Sequence, residues 1–533
     1  MDPSPDGGVD AEARHRRHRY RAGSLVHAPC RRRRHRPGAD RQDAGRGSAS
    51  RARDHPLHPR RLSVPDQLTA FHGETAILEL GDGFFDPVAP ADFPETVLRF
   101  RNDRAAAEIG LEALSDGDWL RHFGRFAPLP GSLDVPLALR YHGHQFRTYN
   151  PDLGDGRGFL FAQCRDAAGR LMDLGTKGSG TTPWSRAGDG RLTLKGAVRE
   201  ILATEMLEAL GVTTSRTLSV IETGEALDRS DEPSPTRGAV LVRLSHSHVR
   251  YGSFQRQAYL QDEAAMARLV DYACRHFVPE GRDAAALLDH AVTSGSRLAA
   301  QYMAAGFVHG VLNTDNINIT GESFDYGPWR FAPAWDPDFT AAYFDHHGLY
   351  SFGRQAEALQ WNVYQLAGAL RLVAPLDALK PALEAFAPRY QAAMVTAMLG
   401  RLGVASRGAE ADTALVKAIE AGLVGSRMAP DRFWFDWRGG VRRGDSPADA
   451  IYAGPAFTGF VAAVAAYAGA APAHDYWADA GPCTLLIDEV EAIWAPIAAA
   501  DDWSALTAKV GAIRRMGEAM GEAMRPAAGV TGP

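Results

Sequence analysis

Hydrophobic positions along this chain switch between two periods, and the switches predict its elements. Gly158-Phe-Leu-Phe-Ala-Gln163 and Leu171-Met-Asp-Leu174 flank a turn at Ala167-Ala-Gly169, which predicts a β-hairpin with Lys177 three residues beyond its second strand. Residues 192–210 change to helical spacing, with Val198, Ile201, Leu202 and Met206 on one side and Gly211 as the stop. Two more strands follow, Leu218–Ile221 and Ala239–Arg243. Helical spacing then returns in Met266, Leu269, Val270, Ala273 and Phe277. It continues through Leu287, Leu288, Ala291, Val292, Leu298 and Tyr302, a helix that delivers the chain to His309. Residues 66–126 are mixed, with a helix expected around Arg101–Leu114, and the chain beyond residue 310 is mainly Ala-rich helix to about 525.

The uncharged run Ile451–Ala473 is long enough to span a bilayer, but it is mostly Ala and Gly with Pro455 inside it. Lipid-spanning helices draw their transfer energy from Leu, Ile, Phe and Val, so a packed helix in a soluble lobe is expected and no membrane partner. Cys30, Cys164, Cys274 and Cys483 form no C-x-x-C pair, which argues against a disulfide framework or zinc site and fits a cytoplasmic location. The net charge of −6 hides an asymmetry: residues 1–61 carry sixteen Arg against seven Asp and Glu, leaving the rest near −15. The acidic body makes nucleic acid a poor candidate partner. Segment 1–65 lacks apolar periodicity and a secretory core, and it reads as disordered, the product of a start codon called too early.

The most informative stretch is His309-Gly-Val-Leu-Asn-Thr-Asp-Asn316, followed by Asp325-Tyr-Gly327. Kinase catalytic loops place an Asp two residues after the His and a metal-binding Asn seven after it. Asn316 meets the second requirement, but Val311 stands where the base belongs, and Asp315 is the nearest carboxylate. General-base catalysis contributes roughly 10²–10⁴-fold, so an ordinary kinase would be crippled by this loop. Amide and carboxylate oxygens at Asn316 and Asp325 are nevertheless the hard donors that Mg²⁺ takes. Lys177, one of five lysines, precedes the helix that carries Glu200, as in the kinase Lys–Glu pair. The order strand, strand, helix, strand, strand is that of a kinase-like small lobe.

Three further features carry less information alone. Gly154-Asp-Gly-Arg-Gly158 lets backbone N–H groups approach phosphates, although such clusters are also plain turns. Arg243 and Arg250 are placed to clamp a triphosphate, or are solvated surface arginines. His142, His144, His346 and His347 lack metal-ligand spacing and read as structural or surface residues.

Together, Tyr141-His-Gly-His-Gln-Phe146 with Tyr149-Asn-Pro-Asp-Leu-Gly-Asp-Gly-Arg-Gly158, Leu174-Gly-Thr-Lys-Gly-Ser-Gly-Thr-Thr-Pro-Trp-Ser-Arg-Ala-Gly-Asp-Gly-Arg191, and His309–Asn316 resemble the SelO (selenoprotein O, YdiU-like) pseudokinases over about residues 75–370. The resemblance implies an α+β, protein-kinase-like two-lobed fold: a small β-rich N-lobe with one key helix (66–256) and a larger helical C-lobe (257–533). It implies transfer of AMP from ATP to Ser, Thr or Tyr hydroxyls of proteins, the enzyme itself included, with Mg²⁺ or Mn²⁺ and, with Mn²⁺, transfer of UMP as well. Carried over residue by residue, Gly154, Gly156, Arg157, Lys177, Asp189, Gly190, Arg243, Arg250 and Asp325 would hold the nucleotide. Glu200 would pair with Lys177, Asn316 and Asp325 would bind the metal, and Asp315 would accept the proton. Many members carry a Cys or selenocysteine motif near the end, which the stretch Met524–Pro533 lacks. The competing readings are a phosphotransferase, against which Val311 argues, and an inactive nucleotide-binding scaffold, against which Asn316 and Asp325 argue.

Overall fold

The computed structural model describes Leu68 and residues 70–524, except 231 and 470–472. The expectations for the Arg-rich segment 1–65 lie outside these residues, as does Cys30. Thirteen strands are found among the described residues: β1 His72–Glu74, β2 Phe85–Pro87, β3 Val97–Arg101, β4 Leu137–Leu139, β5 Gly143–Gln145, β6 Thr148–Asn150, β7 Leu160–Arg165, β8 Leu171–Lys177, β9 Leu192–Thr193, β10 Arg216–Leu227, β11 Thr236–Ser245, β12 Phe307–Val308 and β13 Arg330–Phe331. Nine of them form one antiparallel sheet with the central order β2-β4-β7-β8-β11-β10-β3, with β1 beside β7 and β9 beside β11.

The hairpin β7–β8 forms where alternation places it. Asp166 closes its turn by accepting from the N–H groups of Ala168 (3.0 Å) and Arg170 (2.8 Å), while Gly169 takes φ +75°. Strand β8 runs through Lys177 instead of ending three residues before it, because the Lys177 side chain is buried against an acidic partner and does not need solvent. Alternation then splits the sheet between two cores. Leu160, Leu171, Val220 and Leu241 join one, whereas Phe161, Met172, Leu174, Val240 and Val242 join the other.

Helices cover both faces. On one lie α1 (Asp103–Glu108) and α2 (Asp116–Phe123), whose Trp119 and Phe123 are fully buried. The helix expected around Arg101–Leu114 is therefore shorter, Asp103–Glu108, and the next helix begins only at Asp116. The chain turns at Gly110 (φ +72°), where a Cβ would come within 2.4 Å of the Ala70 backbone, and Ser115 caps the next helix. On the other face lies α3 (Leu194–Ala209), capped by Thr193 and buried almost all round. Even its polar Glu200, Thr204 and Glu205 are buried, and the long helix α15 (Ser504–Met524) packs against it.

The rest is helical: α4 (Tyr251–Leu260), α5 (Glu263–Phe277), α6 (Ala284–Ala305), α7 (Gln355–Leu370), α8 (Leu376–Glu384), α9 (Phe386–Leu402), α10 (Ala409–Ser426), α11 (Pro430–Asp436), α12 (Asp449–Tyr452), α13 (Thr458–Val464) and α14 (Ile487–Ala500). The run Ile451–Ala473 is not one helix: Gly454-Pro455 breaks it into the end of α12, short 3₁₀ turns and α13. Among the described residues no helix is long and apolar enough to cross a membrane. Helix α6 ends at Gly306 (φ +68°) and feeds β12, which pairs with β13. The pair holds both ends of the loop 309–329, in which every candidate metal and proton-transfer residue lies.

Candidate functional site

Between the sheet and this loop is a cleft of about 540 Å³. Gly154, Gly156, Arg157, Lys177, Asp189, Gly190, Arg243, Arg250, Asp315, Asn316 and Asp325 all line it. Glu200 stands behind Lys177 and completes the set from α3. Residues spread from Gly154 to Asp325 are thus brought to one surface.

Asp325 is the electrostatic centre. Its carboxylate oxygens lie 3.3 Å from Lys177 Nζ, 3.5 Å from Arg243 Nη2 and 3.3 Å from Arg250 Nη1. Burial pushes its carboxyl up, but Lys177, Arg243, Arg250 and Arg157 together outweigh that and hold it well below the usual carboxylate range. Its backbone is in the left-handed region, φ +64°, a conformation that persists only where neighbours impose it. One such neighbour is His309, whose Nε2 donates to the Phe324 carbonyl at 3.0 Å while its Nδ1 accepts from the Val311 N–H at 3.4 Å.

Lys177 and Glu200 form a buried ion pair, with Arg243 also 3.6 Å from the Glu200 carboxylate. Arg243 sits opposite Gly175 in the β11–β8 register, so Arg243 and Lys177 project from the same face. Arg250, just beyond β11, bridges three segments. It donates to the Asp315 carbonyl at 2.8 Å, and its other terminal nitrogen lies 3.2 Å from Asp155. Both arginines are buried, which excludes the solvated-surface reading.

Asp315 is buried with Oδ1 unpartnered among the described residues, and its Oδ2 lies 3.5 Å from Gln145 Nε2. Burial pushes its carboxyl up to about 6, although Arg250 pulls the other way. Asn316 uses its Nδ2 to reach the Val311 carbonyl at 3.0 Å, leaving the amide oxygen without a partner among the described residues. Val311 lines the cleft as an apolar residue.

The glycines have a packing reason to be there. A Cβ on Gly154 would lie 2.4 Å from the Trp184 ring, and one on Gly156 would lie 2.9 Å from the Trp184 carbonyl. Arg157 is exposed beside them. Gly190 has φ +70° and sits against Gly180, while the neighbouring Asp189 is exposed and paired with Arg229 at 2.8 Å. His142 and His144 hydrogen-bond Tyr149 and Gln255, each at 2.8 Å, and burial pushes His142 down to about 4. Among the described residues no group of three His, Cys, Asp or Glu side chains is placed to hold a metal, and Cys164, Cys274 and Cys483 are free thiols.

Sequence reasoning missed Asp155, Tyr141, Gln145 and Trp184, all of which line the cleft. Asp155 accepts from the Leu139 N–H at 3.0 Å and orients Arg250, whose guanidinium lies 4.5 Å from the Tyr141 ring centre. Its one signal was a carboxylate set between the two loop glycines.

The family described as "Protein adenylyltransferase SelO" matches residues 67–439. The chain belongs to the SelO family. A "Protein nucleotidyltransferase YdiU" from Gloeobacter violaceus is 44% identical over 466 residues, covering 83% of this chain and 95% of the relative. Proteins of the same name from a Synechocystis species and from Vibrio cholerae are 51% and 37% identical, covering 62% and 63% of this chain and 71% and 69% of their own lengths. All the cleft residues named above fall inside the region matched to SelO.

Proposed function

We propose that this chain transfers AMP from ATP to Ser, Thr or Tyr hydroxyls of proteins, itself included, and releases diphosphate. The observation that carries the reading is the pairing of a threefold cation cluster around Asp325 with a loop whose carboxylate is Asp315 and whose kinase-base position is Val311. Membership of SelO and the relatives named as nucleotidyltransferases support it. A protein-kinase-like arrangement, with an N-lobe over 66–256 and a C-lobe over 257–533, is the corresponding fold reading; the sheet, α3 and the helical remainder are in keeping with it.

The donors present fit a hard divalent cation: the Asp325 carboxylate and the uncommitted Asn316 amide oxygen, with nucleotide phosphates to complete the shell. Mg²⁺ or Mn²⁺ held there would neutralise phosphate charge. Lys177, Arg243 and Arg250 then face the triphosphate, Lys177 aligned by Glu200 and Arg250 by Asp155. The loop of Gly154, Gly156 and Arg157, with Asp189 and Gly190 across the rim, encloses the remainder of the nucleotide. The acceptor oxygen attacks the α-phosphorus, the bond to the β-phosphate oxygen breaks, and the hydroxyl proton passes to the Asp315 carboxylate. Diphosphate leaves toward the arginines. With Mn²⁺ the same steps serve UMP transfer from UTP.

Incubation with ATP labelled at either the α- or the γ-phosphate tests this. Label from the α position should enter protein and label from the γ position should not. The reverse makes the chain a kinase, and binding without either transfer makes it a scaffold.

A further inference from the structure

Aromatic side chains run without interruption from the loop 309–329 to solvent. Tyr350 Oη donates to Asn313 Oδ1 at 2.8 Å, two residues before Asp315. The Tyr350 ring packs on Phe146 at 5.1 Å between centres, Phe146 on Phe344 at 5.8 Å, and Phe344 on Tyr343 at 5.1 Å. Phe344 is 42% exposed and Tyr343 is 85% exposed, the most exposed large apolar side chain among the described residues.

The inner end of this ridge is held deliberately. Phe146 and Arg147, at the tip of the β5–β6 hairpin, both have left-handed backbones, φ +49° and +63°. The Phe146 N–H donates to the same Asn313 Oδ1 at 3.0 Å, and Arg147 is tied to Glu357 at 2.9 Å. Asn313 thus anchors the ridge and lines the cleft. The Phe146 and Phe344 rings offer phosphates no donor, and Lys177, Arg243 and Arg250 line the cleft instead. A polypeptide bringing a hydroxyl to Asp315 meets the exposed outer end of this ridge, Phe344 and Tyr343, whose inner end, the buried Tyr350, is anchored on the loop.

We propose that Tyr343 and Phe344, backed by Phe146, dock the acceptor polypeptide and select an aromatic or aliphatic side chain close to the modified hydroxyl. This rests on the reading of the chain as a protein AMP transferase. The test uses the full chain, α-labelled ATP and two pools of random peptides with a central Ser. One pool has Phe at one of the three positions on either side, and the other has Ala at all of them. The chain should label the Phe pool with roughly tenfold higher kcat/KM, the scale of one lost aromatic anchor. Tyr343→Ala with Phe344→Ala should abolish the preference while ATP affinity and Tm stay unchanged, and Phe344→Leu should retain most of it.

Equal labelling of both pools, or a preference that survives the double Ala variant, overturns the proposal. So does a double variant whose only change is lost self-association in gel filtration, which makes the ridge an interface between copies. No labelling of either pool while the enzyme labels itself rejects docking alone. No transfer to any protein rejects the AMP-transfer reading as well.

Discussion

Arg250 donates to the main-chain carbonyl of Asp315 at 2.8 Å, so the arginine proposed to face the phosphates also fixes the segment that carries the proposed proton acceptor. The same guanidinium compensates Asp155 and Asp325. Arg250→Ala leaves the buried Asp155 carboxylate without its cation and Asp325 with two of its three, and breaking a buried charge pair costs about 3–5 kcal/mol. A lower denaturation midpoint and loss of ATP binding by calorimetry are both expected. Arg250→Lys restores the charge but not the fork, and should recover stability more than turnover.

Asp325 and Asp315 should separate in their effects. Asp325→Ala removes the carboxylate that three cations surround and the proposed anionic metal donor, so Mg²⁺-dependent ATP affinity and transfer should both vanish. Asp315→Asn keeps the size of the side chain and removes the proposed proton acceptor. ATP affinity should hold while turnover drops by roughly 10²–10⁴-fold. Equal loss of affinity in the two variants, measured by calorimetry, contradicts this division.

Gly190→Ala places a methyl group 2.2 Å from the Gly180 carbonyl at a backbone φ of +70°. Strain of that kind costs of order 1–3 kcal/mol. Thermal melts should show the loss. ATP affinity should fall as well, because the displaced segment carries Asp189 and forms the cleft's rim.

Acid should loosen the contact between β11 and the end of α14. Arg237 forks between Glu222 (2.6 Å) and Asp501 (2.6 Å). The hydrogen bond from Arg237 leads the causes that hold the Asp501 carboxyl down to about 2, below its ordinary 3.8. A depressed pKa contributes stability above the ordinary value, and that contribution is lost as pH falls toward the depressed one. Tm should therefore fall as pH drops from about 4 to about 2. Arg237→Ala should start from a lower Tm at neutral pH and lose less across that window.

The hairpin, α3 and the helices leading to His309 were legible because each is long enough to repeat its period several times. Strands β1, β2 and β4 were not, since three residues define no period and their pairing joins distant positions, as Phe85 with Leu139. Lys177 marks the limit from another side. In sequence a charge reads as the end of a strand, whereas Glu200 across the core lets the strand run through it. The cleft's motif residues were legible through chemistry and spacing. Asp155 was not, because its meaning lies in Leu139 and Arg250, neither of which is near it in sequence.

The region matched to SelO stops at residue 439, yet α15, well beyond it, lies against α3. Arg514 reaches the buried Glu205 carboxylate at 2.6 Å, and Gly517 lets the two helices approach at Ala209. Glu200 sits five residues earlier on the same helix. The boundary drawn by likeness is therefore not a boundary of folding: a piece cut at residue 439 would strip α3 of its outer wall and leave the buried Glu205 with Arg104 as its remaining arginine. The cleft would then fail through the helix behind it, with every residue that lines it still in the chain.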